Sequence, residues 1–416
     1  MGLLTVPLAL IVSFVFLGLM LYKRINLGIT LNVTALLLAF LALDLFQIPD
    51  LILRTTIDPL TISITLATFG IMLLSQLYKE TRLIDRLSSS LGRIINNPRI
   101  VMCLLPAVMG FLPVAGGALM SAPLVDSEAK KLNMSHDKKA YVNLWFRHII
   151  FPIYPLSQVL ILTAALSVTS IDSIIIRQIP VVIVMAIAGY VIGFRNTPKM
   201  TTDTTEKEKK NEGHRNIKDF IIAFSPILIT IIVAIGLGTA ISGFSQIGLD
   251  VLLATVVGIA AIILISNVGF SLFVRPLKTW SIYGITLAAY GAFLLGSVIK
   301  ATGISHYFEA IVASGSVDVT LLLAIVPAIL GILTASALGG VSLSVPILGG
   351  IIALTSRTAS LIYMSAYLGY VVSPTHLCLV FTADYFKCSL EKIYKYALPS
   401  FIVTFATALL IYYLIP

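Results

Sequence analysis

Charged residues are scarce in this sequence: Asp, Glu, Lys and Arg make up 11% of 416 residues, whereas 58% are hydrophobic. This composition excludes an ordinary soluble globular protein. Apolar runs of about 20 residues, the length that an α-helix needs to cross a bilayer, recur along the chain. The short alternating segments of an outer-membrane barrel are missing. The sequence therefore predicts an all-α polytopic membrane protein.

Cysteine is also rare, and Cys103, Cys378 and Cys388 are too far apart to form a metal or redox motif. We interpret all three as packing residues, and we predict no metal and no cofactor, with a sodium ion as the one option left open. The first apolar run, residues 3–21, has no basic region before it. We expect it to be a retained span and not a secretory signal.

The formal net charge of +9 raises the question of an anionic partner, and the positions of the charges answer it. In an arrangement of ten crossings, most Lys and Arg residues fall on one side. The other side holds Arg54, Arg177, Lys300 and Arg357. Because cytoplasmic loops are enriched in basic residues, we predict a multi-pass protein of the cytoplasmic (inner) membrane with both termini outside, in contact with membrane lipid and without a nucleic-acid partner.

Two glycine-containing stretches, residues 100–125 and 319–354, are predicted to be re-entrant hairpins. The first is too short for two full crossings, and basic residues flank both of its ends, so both ends lie on one side. The predicted tips are Pro113-Val114-Ala115-Gly116-Gly117 in the first hairpin and Thr334-Ala335-Ser336-Ala337-Leu338-Gly339-Gly340 in the second.

Three blocks of sequence recur in the same order in the two halves of the chain. The paired blocks are residues 65–74 with 286–295, residues 116–123 with 339–346 (a Gly-Gly-x-x-x-Ser-x-Pro pattern in both), and Tyr141 and Pro152 with Tyr363 and Pro374. Each half crosses the membrane five times, so the second copy is inverted relative to the first. The predicted fold is two inverted repeats, each of five transmembrane helices plus one re-entrant hairpin, at residues 1–195 and 218–416, with a polar cytoplasmic linker at 196–217.

Interrupted backbone is tolerated at membrane depth only inside protein or beside a water-filled cavity, so the breaks mark the candidate site. The helix that returns from each tip aims its unpaired N–H groups at the membrane centre, which favours an anion. The alternative is that the glycines have no role in ligand binding and only permit helices to cross at close range. Candidate substrate-binding residues are Pro113, Ala115, Gly116, Gly117, Ser121, Asn143, Arg147, Ser336, Gly339, Gly340, Ser344, Ser373, Pro374 and Thr375.

Two long broken spans supply the polar groups. Ser373 and Pro374 have the pattern of a helix N-cap followed by proline at the first helical position, which predicts a half-helix starting there. Arg147 fits a partner of a substrate carboxylate, or alternatively an interfacial anchor together with Trp145. Candidate residues for a coupling ion, a proton or sodium, are His148, His376, Ser121, Ser344 and Thr375.

The motifs from Leu112 to Ala118, from Ser121 to Val125 and from Ser373 to Leu377 resemble a ten-span family of archaeal and bacterial membrane proteins of unknown function, placed within the ion-transporter superfamily. Relatives there include gluconate and divalent-anion symporters. The resemblance implies a transport domain that moves like an elevator against a dimeric scaffold. We assign residues of about 1–95 and 218–302 to the scaffold and of about 98–195 and 318–416 to the transport domain. The Ser-Asn-Thr tip motifs of the dicarboxylate members are absent, so their specificity and sodium coupling do not carry over.

These features together predict a secondary active transporter of a small organic anion, a carboxylate, coupled to sodium or protons and assembled as a homodimer. The alternatives are a cation/proton antiporter or a channel-like pore of the same fold, and a membrane-embedded enzyme. No His-Glu-x-x-His, Gly-x-Ser-x-Gly or paired intramembrane aspartates support the enzyme.

Overall fold

The computed structural model describes residues 4–95, 97–111, 117–197, 213–241, 243–245, 247–303 and 318–415, and these contain helices and links but no strand. A short 3-10 turn, Phe151–Ile153, lies between α8 and α9. The α-helices are α1 Val6–Tyr22, α2 Leu27–Ala42, α3 Ile48–Ile57, α4 Pro59–Glu80, α5 Leu83–Ile94, α6 Pro98–Gly110, α7 Ala118–Lys130, α8 His136–His148, α9 Gln158–Ser167, α10 Ile171–Phe194, α11 Gly213–Ala240, α12 Leu249–Ser266, α13 Phe270–Leu277, α14 Trp280–Ala301, α15 Val319–Thr334, α16 Ala337–Gly349, α17 Ser356–Val372, α18 Leu377–Tyr385 and α19 Leu390–Leu414.

Within the described residues, 8 segments are long and apolar enough to cross a membrane. They are α4, α8 with α9, α10, α11, α12, α14, α17 with α18, and α19. Helices α1 and α2 are apolar but shorter, at 17 and 16 residues. The prediction of a polytopic helical membrane protein is confirmed, whereas a count of ten crossings needs α1 and α2 as well and stays a prediction.

The order of helices in the first half recurs in the second. Helices α1 to α4 correspond to α11 to α14, and α6 to α10 correspond to α15 to α19. Packing follows the same plan: α6 contacts α7 and α8, as α15 contacts α16 and α17. The second helix of each hairpin also packs on the far part of the other half's broken span, α7 on α18 and α16 on α9.

The broken spans lie inside the protein and not at its rim. The apolar windows of α8 with α9 and of α17 with α18 are each 61% buried, and that of α4 is 67% buried, against 22% for α19. Helices α10, α11 and α12 are also largely exposed, with apolar residues on their outer faces. The interrupted backbone is thus surrounded by other helices, as the absence of water in a hydrocarbon core requires.

Two main clusters of buried apolar side chains form the interior. One consists mostly of residues from α1 to α5 and α11 to α14. The other draws only on the region from α6 to α10 and from α15 to α19. The two sets of helices meet where α4 and α14 contact α9 and α16, and where α5 contacts α6.

Loops that the charge pattern places on one side contact each other in the structure. On the predicted cytoplasmic side, Arg86 pairs with Asp219, Arg275 lies 3.8 Å from Glu80, and Lys138 donates to the Arg195 carbonyl. On the opposite side, Arg177 donates to the Ile415 carbonyl at 2.8 Å and Arg357 to the Tyr412 carbonyl at 2.6 Å. The grouping of loops agrees with the predicted sides, while the direction in which the termini face stays a prediction.

Glycines permit α15 and α17 to cross at close range. A Cβ atom added to Gly331 would collide with the carbonyl oxygen of Ala366, and one added to Gly369 would collide with the carbonyl oxygen of Ala328. Both obstacles are backbone atoms, which cannot rotate away. The second hairpin and the second broken span are therefore held together backbone to backbone.

We expect Gly331→Ala and Gly369→Ala each to lower the free energy of unfolding by about 1–3 kcal/mol, because overpacking must push the two helices apart. Thermal unfolding of the purified protein in detergent measures the effect. Gly236→Ala in α11 is the control, since no atom lies within 4 Å of the added Cβ. Alanine favours a helix interior over glycine, so unchanged or raised stability in the two test variants would contradict the close crossing.

Candidate functional site

The second hairpin reverses at two residues between α15 and α16. Ala335 has φ of 47°, in the left-handed region, and the Ser336 hydroxyl accepts a hydrogen bond from the Gly339 N–H at 3.2 Å. The reversal lies within the predicted tip, residues 334–340, but Gly339 and Gly340 take no part in it, because both lie in the first turn of α16. The Ser336 cap completes the turn without a glycine. Added Cβ atoms at the two glycines would meet Thr334 and Ala366, respectively, so their role here is close packing.

The first hairpin brings the start of α7 onto Arg147. Of its predicted tip, Pro113, Ala115 and Gly116 lie outside the described residues, and Gly117 is described. A Cβ atom added to Gly117 would collide with the Arg147 guanidinium. Only a residue without a side chain allows this approach.

Arg147 is buried inside the protein at the last turn of α8, with 2% of its surface exposed. Its Nη1 donates to the Met109 carbonyl at 2.8 Å, one of the last carbonyls of α6, which the helix itself cannot pair. Trp145 is fully buried and donates its indole N–H to the Met185 carbonyl at 3.0 Å. Neither side chain reaches the surface as a headgroup anchor would. The guanidinium and the positive end of the α7 dipole together create a positive potential at this point.

Asn143 lies one turn before Arg147 and joins three helices. Its side chain accepts from the Ser121 hydroxyl at 2.7 Å and donates to the Ala118 carbonyl at 2.9 Å and to Thr382 Oγ1 at 3.4 Å. All of these groups are buried. The network holds the returning helix of the first hairpin against both broken spans.

At its far end α7 is held to α8 by an ion pair. Asp126 bonds to Lys139 at 2.9 Å and to Lys130 at 2.9 Å. These two lysines, Lys139 first, hold the pKa of the Asp126 carboxyl below its ordinary value. Asp126 follows the predicted end of the hairpin, so this pair lies at the end of the hairpin opposite its tip.

Tyrosines from the second half of the chain donate hydrogen bonds to backbone carbonyls at the break in the first broken span. Tyr367 donates to the His148 carbonyl, and Tyr363 donates to the Phe151 carbonyl at 3.1 Å. Both acceptors lie where α8 ends and the 3-10 turn begins. Hydroxyls of α17 therefore complete the hydrogen bonding at the break: the Tyr367 hydroxyl pairs the His148 carbonyl, and the Tyr363 hydroxyl adds a second donor to the Phe151 carbonyl, which also accepts from the Tyr154 N–H at 3.4 Å.

The second broken span differs from its prediction. Helix α17 runs to Val372, and α18 begins at Leu377 with His376 at its N-cap position, so Ser373 and Pro374 do not start a helix. The reason is that Ser373 ends α17: its N–H returns to the Tyr370 carbonyl, and its hydroxyl donates to Ile332 of α15 at 2.7 Å. The Thr375 hydroxyl lies 3.2 Å from that of Ser373.

The two breaks differ in exposure. In the first, Pro152, Ser157 and Gln158 are buried, and Gln158 donates to the Thr68 carbonyl of α4 at 3.4 Å. In the second, Pro374 and Thr375 are exposed. Because lipid-exposed loops do not occur within the hydrocarbon region, this exposed link must border water or another protein surface.

The remaining candidates lie in two places. Ser344 is fully buried in α16, and its hydroxyl has no hydrogen-bond partner among the described residues. His148 and His376 meet with ring centroids 4.8 Å apart, beside Tyr370. Cys378 is buried next to them, which the sequence analysis missed. The His-x-Cys spacing at 376–378 was the available signal.

Comparison with known families gives one match over nearly the whole chain. A model of the family described as a protein of unknown function (DUF401) matches residues 5–415. The chain belongs to the DUF401 family. The resemblance to a membrane family of unknown function is thereby confirmed. No relative was found among curated proteins.

The fold of this DUF401 protein is similar to that of a solved transporter. The YdaH transporter of Alcanivorax borkumensis, whose structure is described as revealing an unusual topology, superimposes with a TM-score of 0.58. Sequence identity is 14%, and the match covers 90% of each chain. At this identity the likeness shows a shared fold and no more.

We expect Tyr367→Phe to lower the free energy of unfolding by about 1–3 kcal/mol, because it leaves the His148 carbonyl without its donor. Tyr363→Phe should lower it by less, because the Phe151 carbonyl keeps the Tyr154 N–H as a donor. Thermal unfolding in detergent measures this. Tyr283→Phe is the matched control: its hydroxyl also donates to a backbone carbonyl, that of Leu277 at 2.8 Å, but at an exposed position. Equal effects in all three variants would show that the breaks do not depend on these hydroxyls.

Proposed function

We propose that this DUF401 protein is a secondary active transporter that moves a small organic anion, a carboxylate, by elevator-type alternating access. The observation that carries the proposal is the position of Arg147. Its guanidinium projects from the end of α8 in the first broken span and is buried between the end of α6 and the start of α7, beside the predicted tip of the first hairpin. A cation in such a place is costly to maintain and typically serves a ligand.

The chemistry of the position favours an anionic ligand. A guanidinium offers a planar fork of donors that matches a carboxylate, and the first N–H groups of α7 add donors of the same polarity. Asn143 and Ser121 place further polar groups one turn away on the same two helices. A cation substrate would meet repulsion from both the guanidinium and the helix dipole.

Alternating access is supported by the repeated plan and its unequal breaks. We infer that the halves are inverted repeats, as the odd number of predicted crossings requires, with both termini outside. The first break is packed against α4, while the second is exposed. If the two inverted halves exchanged the conformations of their breaks, the site would open to the opposite side of the membrane. The structure would then correspond to one of the two access states of the transport cycle.

In an elevator mechanism, each of the two apolar clusters would be the core of a separate rigid domain. Helices α1 to α5 and α11 to α14 form the scaffold, and α6 to α10 and α15 to α19 form the transport domain, as in the ion-transporter superfamily to which we assign the chain. Their contact runs along α4 and α14. We further propose that scaffolds pair in a homodimer, that lipid covers the exposed apolar faces, and that sodium or protons drive transport.

We expect Arg147→Gln to weaken ligand binding and to reduce uptake by about tenfold or more, the equivalent of about 1.4 kcal/mol in binding free energy. Arg147→Lys keeps the positive charge but loses the parallel N–H donors of the guanidinium, so we expect a loss of uptake smaller than that of Arg147→Gln. Ligands are first found by a thermal-shift screen of organic anions, with and without sodium at two pH values. Uptake of each hit into proteoliposomes is then measured.

Gly117→Ala is a second variant in this test, because it keeps Arg147 but forces the guanidinium away from α7. Arg357→Gln is the control: Arg357 also bonds a backbone carbonyl, at the far end of α19. Gel filtration verifies folding. Normal uptake by Arg147→Gln and Gly117→Ala would refute the assignment of the site, and an unsaturable flux would favour a pore.

We expect a disulfide between Gly296→Cys in α14 and Pro346→Cys in α16 to stop uptake. The Cβ built on Gly296 lies 3.7 Å from the Pro346 Cβ, within the separation of about 3.5–4.5 Å that a disulfide needs. This bond would join the scaffold to the transport domain. Uptake is measured before and after oxidation, and a reductant should restore it.

Each single variant, oxidised in the same way, controls for the substitutions themselves. Cys103 and Cys388 are changed to Ser in all proteins of this set, so that neither forms an unintended disulfide. If the cross-linked protein transports at the rate of the reduced protein, the two bodies do not move against each other at this contact. That result would end the elevator model and leave the Arg147 site untouched.

A further inference from the structure

Three metal-ligating side chains converge at the junction of the broken spans. His148 ends α8, His376 occupies the N-cap position of α18, and Cys378 lies in the first turn of α18. One ligand atom from each residue lies within 4.8 Å of the other two. The exposed fractions are 1%, 2% and 6%, so the group is shielded from solvent.

Hydrogen bonds orient both imidazole rings. Nδ1 of His148 lies 2.7 Å from the Leu144 carbonyl, and Nδ1 of His376 lies 3.3 Å from the Val371 carbonyl. A carbonyl oxygen only accepts, so each Nδ1 carries the proton and each Nε2 carries a lone pair. Histidines that bind metals usually have their other nitrogen fixed by such an outer acceptor.

Within the part of the chain that the structure describes, the buried Nε2 of His376 has no hydrogen-bond partner for its lone pair. On the other ring, Nε2 of His148 is 3.4 Å from the Tyr370 hydroxyl, a long contact that a stronger ligand would replace. A buried acceptor without a donor is uncommon in a folded protein, and a cation would satisfy it.

We propose that His148, His376 and Cys378 bind a Zn²⁺ ion. Two imidazole nitrogens and one thiolate suit this borderline-soft ion, with Zn–N of about 2.0–2.1 Å and Zn–S of about 2.3 Å. The donor atoms lie within 4.8 Å of one another, so binding would require the side chains to rotate toward a common centre. On binding, the Cys378 thiol loses its proton to solvent, so the thiolate offsets one of the two positive charges.

Three protein ligands leave a fourth position of the tetrahedron open to water, to the nearby Tyr370 hydroxyl or to an anion. The ligands also come from both halves of the chain, so the ion would tie the end of α8 to the start of α18. This metal site goes beyond the proposed transport function and does not depend on it.

The test uses the full-length protein, purified in detergent, stripped with a chelator and titrated with Co²⁺ as the spectroscopic probe. We expect one Co²⁺ per chain, with the visible bands of tetrahedral cobalt and a thiolate-to-cobalt charge-transfer band, both removed by Zn²⁺. Cys378→Ser should abolish the charge-transfer band, and His376→Gln should weaken binding by about tenfold or more. Cys103→Ser and Cys388→Ser are matched controls that should retain both signals.

Absence of a stoichiometric cobalt complex, or a charge-transfer band that survives Cys378→Ser, would overturn the proposal. Should Cys378→Ser fail to fold, zinc-edge X-ray absorption of the unaltered protein decides the question without a variant. A first shell of nitrogen and one sulfur is the expected result. A shell of oxygen and nitrogen alone would show that Cys378 is not a ligand. Neither measurement requires uptake activity.

Discussion

The structure depends on one constraint: a backbone polar group left unpaired in hydrocarbon costs several kcal/mol, so an interrupted span survives only if something else completes its hydrogen bonds. For the first break, the opposite half of the chain does this: Tyr363 and Tyr367 of α17 donate to carbonyls at the break after α8. The second break is completed within its own half, where the Ser373 hydroxyl at the end of α17 donates to the Ile332 carbonyl at the end of α15. The first half therefore depends on the second to complete its broken span.

The same arrangement concentrates polarity in one region of an otherwise apolar protein. The last two turns of α8 carry Asn143, Arg147 and His148. Their polar partners lie on the neighbouring helices α6 and α7 and at the start of α18. The surrounding side chains are mostly aliphatic and aromatic and exclude water, which strengthens every electrostatic interaction within. A ligand that enters here would therefore meet a small number of strong contacts.

Much of this was readable from the sequence because the signals are local. Proline, glycine and a buried arginine inside apolar runs stand out without knowledge of the fold, and they led to Arg147, Asn143 and both breaks. The grouping of the loops followed from charge alone. The helical repeat was also visible, because α4 and α14 retain similar residues at the contact between the two sets of helices.

What the sequence did not reveal depends on contacts between distant segments. Ser373 followed by Pro374 has the pattern of a helix start, but a carbonyl on α15 takes the serine hydroxyl and moves the start to Leu377. The second reversal uses Ala335 in a conformation that alanine rarely adopts, so no propensity could have located it. Cys378 was interpreted as a packing residue because the three cysteines are far apart in the sequence, and its contact with His148 joins the two halves of the chain.

The alignment that pairs Tyr141 with Tyr363 places Gly369 opposite Arg147, and Gly369 allows α17 to touch the backbone of α15. These two corresponding positions therefore carry one fixed positive charge between them, that of Arg147. In the proposed mechanism this charge belongs to the mobile body, so a bound anion would keep the same counter-ion throughout its journey. The anion would cross the membrane with its charge neutralised, and the protein would not need a second positive side chain on the other side of the membrane.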